Sequence, residues 1–219
     1  MTKAEEKRIK QAEKLQKERA RVYALGEYER LYSACGLTCG IDEVGRGPLA
    51  GPVVAGAVIL PKDCEILYIN DSKKLSAKKR ELLFEEIKEK AFATGIGIVS
   101  PARIDEINIL QATYEAMRLA IEDLGIQPDL LLNDAVTIPG VDIRQIPIIK
   151  GDMKSISIAA ASILAKVTRD RLMVEYDKIL PGYELAKNSG YGTKAHRAAL
   201  LRLGATPIHR MSFLKNILR

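Results

Sequence analysis

The spacing of apolar positions separates a polar amino-terminal stretch from a longer region in which two periodicities alternate. Near the start of the chain, Leu15, Val22, Leu25 and Leu31 recur every three to seven positions among many Lys, Glu and Arg residues. Such a sparse apolar stripe is typical of a weakly amphipathic helix or helix pair, because only one face meets other residues. We therefore predict a helical extension over residues 1–36 that projects from the core.

Beyond residue 36, short apolar runs alternate with stretches of helical spacing. The runs that have the length of strands fall at 38–44, 53–60, 95–99, 129–136 and 146–150. Helical spacing, with Ser76 and Thr193 as N-caps and Gly or Pro as stops, predicts helices at 77–93, 110–124, 155–180, 193–204 and 211–218. Strands first, then alternating helices and strands, indicate an α/β layer with a mixed sheet.

Composition adds size and location to this outline. The chain has 219 residues, of which 47% are hydrophobic and 28% charged, as in an ordinary folded domain with one large core. It contains no run of about 18 apolar residues that could cross a bilayer. Its charged amino terminus lacks the apolar stretch of a signal peptide. We therefore expect a cytoplasmic protein with no membrane partner.

The charge and the cysteines narrow the chemistry further. A net charge of +6 favours a polyanionic partner, although small phosphorylated substrates are equally compatible with it. Cys35 and Cys39 are four positions apart, but a zinc site would need two more nearby ligands. The two histidines, His196 and His209, are distant in sequence. The three cysteines are therefore interpreted as free thiols.

Acidic residues stand at the carboxyl ends of three predicted strands. Asp42 and Glu43 close the first, Asp134 closes the fourth, and Asp152 follows the fifth. Sites in open α/β sheets form at this edge, so the four carboxylates could converge. Without cations they would repel one another, and oxygen-only ligands suit Mg²⁺ or Mn²⁺. One such acid alone would suggest a cap or an ion pair; the four together favour two-metal phosphodiester hydrolysis, with Asp42 bridging the ions.

Because Asp42 and Glu43 are adjacent, they can share one site only under a condition on where the strand ends. The loop after them could also be interpreted as a phosphate-binding loop. Neighbouring strand residues point to opposite faces, so we expect the strand to end at Glu43, just before Gly45. The Gly-Arg-Gly of residues 45–47 has the composition of a phosphate loop. However, Pro48 and a strand-like run follow where a dinucleotide loop needs a helix, and the Gly-Lys-Ser/Thr of a nucleotide-triphosphate loop is absent.

Several segments together resemble one known family. Residues 40–52 read GIDEVGRGPLAGP, which closely resembles the opening motif of bacterial ribonuclease HII. Further matches, in family order between about residues 37 and 214, are NDSKKL at 70–75, KGD at 150–152, AASILAKVTRD at 160–170, and GYGT at 190–193 followed by His196. The chain is therefore identified as resembling this family in all but its extension.

The resemblance implies both a fold and an activity. The fold would be ribonuclease H-like, an α/β fold with a central mixed five-stranded sheet flanked by helices and a helical carboxyl-terminal part, all within residues 37–219. The activity would be hydrolysis on the 5′ side of ribonucleotides in RNA–DNA hybrids and in duplex DNA, leaving 3′-hydroxyl and 5′-phosphate ends. It implies two Mn²⁺ or Mg²⁺ ions, a monomer and a role in ribonucleotide excision repair. A sliding-clamp contact stays open.

The resemblance also implies roles for individual residues. The metal-binding catalytic acids would be Asp42, Glu43, Asp134 and Asp152. The backbone of Gly45, Arg46 and Gly47 would sense the 2′-hydroxyl, the group that distinguishes RNA from DNA, since glycines allow close approach. Tyr191 would pack on the neighbouring sugar at the junction. Lys73 and Lys74 would contact phosphates or form a solvated turn.

Other matching residues have simpler interpretations, and one position departs from the pattern. Lys166, Arg169 and Asp170 lie on the alanine-rich helix, where Arg169 and Asp170 could merely pair with neighbours, and His196 could serve its helix rather than the chemistry. Ala135 follows Asp134 where many members carry glycine, which affects only fine geometry.

Two alternatives remain beside this interpretation. A ribonuclease HIII would carry Gly-Thr-Gly at 45–47 and a larger amino-terminal domain. A non-catalytic nucleic-acid-binding module on the same fold would have lost at least one of the four acids. Neither feature is found in the sequence.

Overall fold

The computed structural model describes residues 2–218; Met1 and Arg219, the outer limits of the two expected segments, lie outside that range. The helices are α1 Lys3–Leu25, α2 Glu27–Leu31, α3 Ala77–Lys90, α4 Pro101–Asp123, α5 Ile156–Ile179, α6 Leu185–Asn188, α7 Lys194–Leu203 and α8 Met211–Leu214. The strands are β1 Thr38–Val44, β2 Val53–Ile59, β3 Ala93–Val99, β4 Leu130–Asp134 and β5 Arg144–Ile148.

The five strands form one mixed sheet in the order β3-β2-β1-β4-β5, which confirms the predicted fold class. β1 pairs antiparallel with β2 and parallel with β4, and β4 pairs parallel with β5. The central strand β1 therefore ends at the same edge as β4 and β5. This topology explains how acids distant in sequence reach one region.

Helices cover both faces of the sheet. α4 lies on one face, and α5, with α3 beside it, lies on the other. Small residues let the backbone of α5 pack directly on the strands: a Cβ on Gly40 would lie 2.2 Å from the carbonyl carbon of Ser157, and one on Gly56 would lie 2.5 Å from the oxygen of Ala161. Alanine at Gly40 would therefore push α5 off the sheet.

The main departure from the predicted helix boundaries is in α4. The helix begins at Pro101, nine residues before the predicted start, because the Ser100 hydroxyl caps it by accepting a hydrogen bond from the N–H of Arg103 at 3.2 Å. Asn108, with φ 68° and ψ 164°, then interrupts the helix, and its side chain accepts hydrogen bonds from the N–H groups of Leu110 and Gln111. Because of this interruption, the helical spacing of apolar residues is continuous only after Asn108, and the first part of the helix was not predicted.

The amino-terminal extension is a helix pair broken at Gly26. A capping box of Thr2 and Glu5 begins α1, whose buried residues are Val22 and Leu25. Residues 2–14 are exposed. The carboxyl-terminal part of α1 packs on the core, where Arg21 donates a hydrogen bond to the carbonyl of Ile69 at 2.6 Å. Only the first half of α1 therefore projects.

The carboxyl-terminal helices support the loop that joins β1 to β2. Leu49 and Ala50 of that loop pack in one apolar cluster with Tyr183, Leu185 and Leu200. The loop 45–52 thus packs on the carboxyl-terminal helical part of the chain. Among residues 2–218, none of the helices is both long and apolar enough to cross a membrane.

Candidate active site

The structure brings the four predicted acids to one edge of the sheet. Asp42 and Glu43 lie near the end of β1, and Asp134 is the last residue of β4. Asp152 lies in a short 3₁₀ helix after β5, which is tied to β4 because the N–H of Gly151 donates to Asp134 Oδ1 at 2.7 Å. Three consecutive neighbours in the sheet therefore each supply at least one carboxylate.

The observed β1 has the bounds of the predicted strand 38–44, whereas the further expectation that the strand ends at Glu43 is wrong. Pairing with β2 continues, with Glu43 opposite Ala55 and Val44 opposite Val54. Pairing with β4, however, stops at Ile41, so one side of β1 is free beyond that point. There Asp42 Oδ1 turns back to accept a hydrogen bond from the N–H of Glu43 at 2.7 Å. The antiparallel neighbour extends the strand, and the end of the parallel pairing gives the acids room.

The acids are coupled electrostatically. Burial, followed by the charges of Glu43 and Asp134, raises the pKa of Asp42 well above its ordinary value. Burial also raises the pKa of Glu43, with Asp134 adding to the shift and Arg46 opposing it. Burial raises the pKa of Asp152 as well, and Asp71 and Asp134 add to it. Each of these three anions is therefore destabilised by Asp134, among others.

The donor set fits a divalent cation. All four groups offer only carboxylate oxygen, which Mg²⁺ and Mn²⁺ prefer, and a cation would offset the repulsion between them. Within residues 2–218, no three His, Cys, Asp or Glu side chains form a ready-made metal cage. The carboxylates are thus electrostatic neighbours in an open arrangement. Ser162 of α5, whose hydroxyl is hydrogen-bonded to that of Ser72 at 3.0 Å, opposes the rise in the pKa of Asp42.

The Gly-Arg-Gly loop lies directly beside these acids. Arg46 forms an ion pair with Glu43, with Nη1 and Oε1 3.5 Å apart. Gly45 has φ 97°, and a Cβ there would lie 2.4 Å from Nε of Arg169, so glycine is required. A Cβ on Gly47 would lie 3.5 Å from Cε1 of Tyr191, whose side chain is 46% exposed. The structure thus places the tyrosine ring next to the loop, open to solvent.

Lys73 and Lys74 border the acids on a short 3₁₀ helix. Asp71 caps this helix by accepting a hydrogen bond from the N–H of Lys73 at 2.9 Å. The charge of Lys73 favours the ionised forms of Glu43 and Asp152 and so opposes the rise in the pKa of each. Lys74 is about half exposed, and its ammonium group lies 3.6 Å from Sδ of Met153. Both lysines therefore add positive charge at the rim of the acidic cluster.

The role of two buried arginines at this site was not predicted from the sequence, which suggested only pairing with neighbours for Arg169 and did not single out Arg210. Arg169 and Arg210 are completely buried, and both donate hydrogen bonds to backbone carbonyls of the loop 45–52. Arg169 does not pair with an acid, whereas Asp170 pairs with Lys166 at 2.7 Å as one interpretation held. For Arg169, the sequence offered one indication of burial, a charged residue within an apolar helical stretch.

His196 serves the carboxyl-terminal helices. Its N–H donates to the Thr193 hydroxyl that caps α7, and its buried ring contacts the ring of His209 and the carbonyl of Tyr191. A cavity of about 320 Å³ lies elsewhere, between α1 and the opposite end of β1, where Thr38 lines it. None of the four acids lines that cavity, so the sheet edge is the stronger candidate for chemistry.

Comparison with known proteins gives a consistent picture. The family model described as ribonuclease HII matches residues 39–216. Ribonuclease HII of Lachnoclostridium phytofermentans is 71% identical over 205 residues, 94% of this chain and 81% of that protein. The structure of the PCNA:RNase HII complex from Archaeoglobus fulgidus is similar with a TM-score of 0.71 and 28% identity, over 84% of this chain and 97% of that one.

A further similar structure is more distant in sequence. Bst-RNase HIII in complex with Mn²⁺ has a TM-score of 0.65 at 17% identity, over 81% of this chain and 67% of that one. At that identity the likeness shows the fold alone.

Proposed function

The chain belongs to the ribonuclease HII family and is a ribonuclease H, and from this premise we propose that it cleaves on the 5′ side of ribonucleotides, both in RNA–DNA hybrids and at single ribonucleotides embedded in duplex DNA. Residues 37–219 form the catalytic domain, and residues 1–36 are a helical extension to it. The net charge of +6 suits a duplex backbone.

The observation that carries this proposal is the coupled carboxylate edge beside the Gly-Arg-Gly loop. Asp42, Glu43, Asp134 and Asp152 would hold two divalent ions, Mn²⁺ or Mg²⁺. Bound there, the ions would prepare the attacking water and stabilise the leaving 3′ oxygen. The alternative of a non-catalytic module has no support, because all four acids reach this edge.

The chain's own residues would do the rest. Exposed backbone at Arg46 and Gly47 lies beside the acids, where it would meet the 2′-hydroxyl of the ribonucleotide. The ring of Tyr191, next to Gly47, would pack on the neighbouring sugar. Lys73 and Lys74 would meet the phosphate backbone near the scissile bond. Recognition and cleavage would thus share one short stretch of loop and strand end.

Replacing Asp134 by Asn tests the assignment of the acids. The change removes one charge from the site and nothing from the apolar core, so the cleavage rate should fall below about a tenth of wild type at saturating metal, while duplex binding persists. The measurement is cleavage of a duplex with one embedded ribonucleotide, with and without Mn²⁺. Retention of more than about a tenth of the rate would contradict the two-metal mechanism.

Asp129→Asn is the matched control. Asp129 directly precedes β4, at the end opposite Asp134, where its Oδ2 accepts a hydrogen bond from the N–H of Leu37 at 2.7 Å. Since an Asn oxygen can accept the same bond, this variant should lose some stability at most and keep its cleavage rate. A similar loss of rate in both variants would mean that the effect is general destabilisation.

A further inference from the structure

Two guanidinium groups lie completely buried beneath the loop 45–52. Arg169 comes from α5 and Arg210 from the segment before α8, and no carboxylate of the described residues forms an ion pair with either. Their partners are peptide carbonyls. Burial of an unpaired cation is costly, so the interactions these groups make must compensate. Burial, together with the charge of Arg169, lowers the pKa of Arg210 to about 9, which leaves it protonated at neutral pH.

Arg210 donates to three loop carbonyls. One is that of Gly51, at 3.0 Å from Nε and 2.8 Å from Nη2, and the other two belong to adjacent peptides. Its Nη2 donates to the carbonyl of Gly45 at 2.6 Å, and its Nη1 donates to the carbonyl of Arg46 at 3.0 Å. In a trans peptide the C=O and N–H lie in one plane and point in opposite directions. The carbonyl of Gly45 shares its peptide with the N–H of Arg46, and the carbonyl of Arg46 shares its peptide with the N–H of Gly47. Drawing both carbonyls inward therefore turns both N–H groups outward.

These two N–H groups are free donors on the surface. Arg46 and Gly47 are exposed. Within residues 2–218, neither N–H donates to a backbone or side-chain acceptor, whereas the neighbouring loop N–H groups of Leu49 and Gly51 donate to Gly190 and Ile208. Successive N–H groups in a turn form a concavity that binds an electronegative atom. A cation on the carbonyl side polarises each peptide and strengthens its N–H as a donor.

We propose that Arg210 is a positioning residue for ribonucleotide recognition, aiming and polarising the N–H groups of Arg46 and Gly47 toward the 2′ oxygen of the ribose. The proposal rests on the proposed function and adds to it a residue 164 positions away from Arg46, without contact to the substrate. Arg210 would thus contribute both to the rigidity of the loop and to its ability to discriminate ribose from deoxyribose.

Arg169 supplies a matched control in the same loop. It is as buried as Arg210 and likewise donates to three carbonyls, those of Ala50, Pro52 and Ser189. None of these three carbonyls belongs to a peptide that carries the N–H of Arg46 or Gly47. Replacing it should therefore weaken the fold to a similar extent without affecting the two donors.

The experiment compares Arg210→Lys with Arg169→Lys. Lysine keeps the charge but loses the fork that holds two adjacent carbonyls. We measure kcat/KM on a duplex with one embedded ribonucleotide, inhibition by the same duplex made entirely of DNA, and Tm, working well below the Tm of each variant. For Arg210→Lys, kcat/KM should fall about tenfold or more, as expected for loss of one or two charge-assisted hydrogen bonds, while inhibition by the DNA duplex changes less than about twofold. Arg169→Lys should keep both values within about twofold.

Equal losses of kcat/KM in the two variants, in proportion to their Tm, would overturn the proposal and leave Arg210 a structural residue. Cleavage by the wild type together with an unchanged kcat/KM in Arg210→Lys would overturn this inference alone. Absence of cleavage by the wild type would overturn the proposed function instead.

A measurement on the wild type covers the case in which Arg210→Lys does not fold. In ¹H–¹⁵N spectra, the amide signals of Arg46 and Gly47 should shift on addition of the ribonucleotide duplex and shift much less with the all-DNA duplex. Equal shifts with both duplexes would contradict the proposal, because the two donors would then not read the 2′ oxygen.

Discussion

At the scale of single residues, the side chain of Tyr191 is notable for its exposure. Its ring lies against Gly47 with 46% of the side chain exposed, whereas the nearby Tyr183 is buried and donates to the carbonyl of Gly204 at 2.8 Å. A large aromatic surface left open beside a loop of exposed N–H groups is suited to stacking on a flat partner. We infer that its contribution is to substrate binding and that the fold does not depend on it.

Tyr191→Ala should therefore impair cleavage at a single embedded ribonucleotide more than cleavage within a long RNA–DNA hybrid. A single ribonucleotide presents its junction at the cut, but a long hybrid presents junctions only at its ends. Rates on the two substrates are compared with those of Tyr191→Phe, which keeps the ring and should behave like the wild type. Equal losses on both substrates would show that the ring serves only packing.

The acids and the arginines differ in how far the sequence reveals them. Asp42 and Asp134 could be placed together from the sequence because each lies at or near the carboxyl end of an apolar strand, and parallel strands bring these ends to one edge. Arg210 could not, because a buried guanidinium bonded to carbonyls leaves no pattern in the sequence around it. Its partners Gly45 and Arg46 lie more than 160 positions away. The roles assigned to the four acids remain predictions.

At the scale of elements, two buried histidines join α7 to the segment before α8. Since the carbonyl of Tyr191 can only accept, His196 Nδ1 carries a proton and donates to it at 3.0 Å. His196 Nε2 must then accept from His209 Nε2, 3.1 Å away, which leaves His209 Nδ1 to accept from the N–H of Thr206 at 3.0 Å. Every ring nitrogen is thus engaged with both rings neutral. A proton added at His209 Nδ1 would oppose the N–H of Thr206 and would have to be accepted by the Thr206 hydroxyl, 2.7 Å away.

Acid should therefore loosen this part of the molecule. Burial, followed by the charge of His196, lowers the pKa of His209 from 6.5 to about 4. Between these two pH values the unfolded chain binds a proton that the folded chain does not, so the free energy of unfolding decreases as the pH is lowered. The contribution of neutral His209 to the stability of the fold is fully present above pH 6.5. The cost should reach about 2 kcal/mol at pH 5, since one pKa unit corresponds to about 1.4 kcal/mol. The measurement is the free energy of unfolding in urea at pH 7 and pH 5.

The control is His209→Gln, whose amide can donate to His196 and accept from Thr206 without titrating. Its stability at pH 7 should be somewhat below that of the wild type, and the difference between the two should shrink at pH 5. A difference that is constant across this range would show that His209 does not resist protonation in the folded state.

Element boundaries show where periodicity is sufficient and where it is not. The helix predicted at 155–180 is observed as α5, Ile156–Ile179, because a continuous apolar and alanine-rich stretch lies between a serine cap and the Pro-Gly stop at 181–182. The first half of α4 was missed, and the expectation that β1 stops at Glu43 was wrong. The first depends on an asparagine with an unusual backbone conformation, and the second on pairing with a neighbouring strand.

At the scale of the whole molecule, the projecting half of α1 is the largest feature whose role the fold does not explain. Residues 2–14 are exposed and carry five basic residues against three acids. Nothing in the packing of the core requires them, whereas Val22 and Leu25 further along are buried. A basic rod attached beside a nucleic-acid enzyme is suited to contact the duplex backbone.

Removing residues 1–14 should leave kcat nearly unchanged, raise KM, and make the slope of log K against log salt shallower. The slope should decrease by about 0.9 for every phosphate that the arm no longer neutralises, and we expect about one to three such phosphates. The deletion stops before Leu15, because a longer one would remove buried side chains. Binding is titrated with salt for both proteins and for a full-length variant with Lys7, Lys10 and Lys14 changed to Gln. Identical slopes would show that the arm does not touch nucleic acid.

The long-range support of the loop 45–52 also has a consequence for synthesis on the ribosome. The carbonyls of Gly45 and Arg46 emerge early, but the guanidinium that satisfies them is made about 164 residues later. At a synthesis rate of roughly 5–20 residues per second, Arg210 is made on the order of ten to thirty seconds after the loop. During that interval the sheet can assemble while the loop carbonyls remain bonded to water. The nascent chain should therefore assemble its sheet before it acquires the ability to recognise ribose.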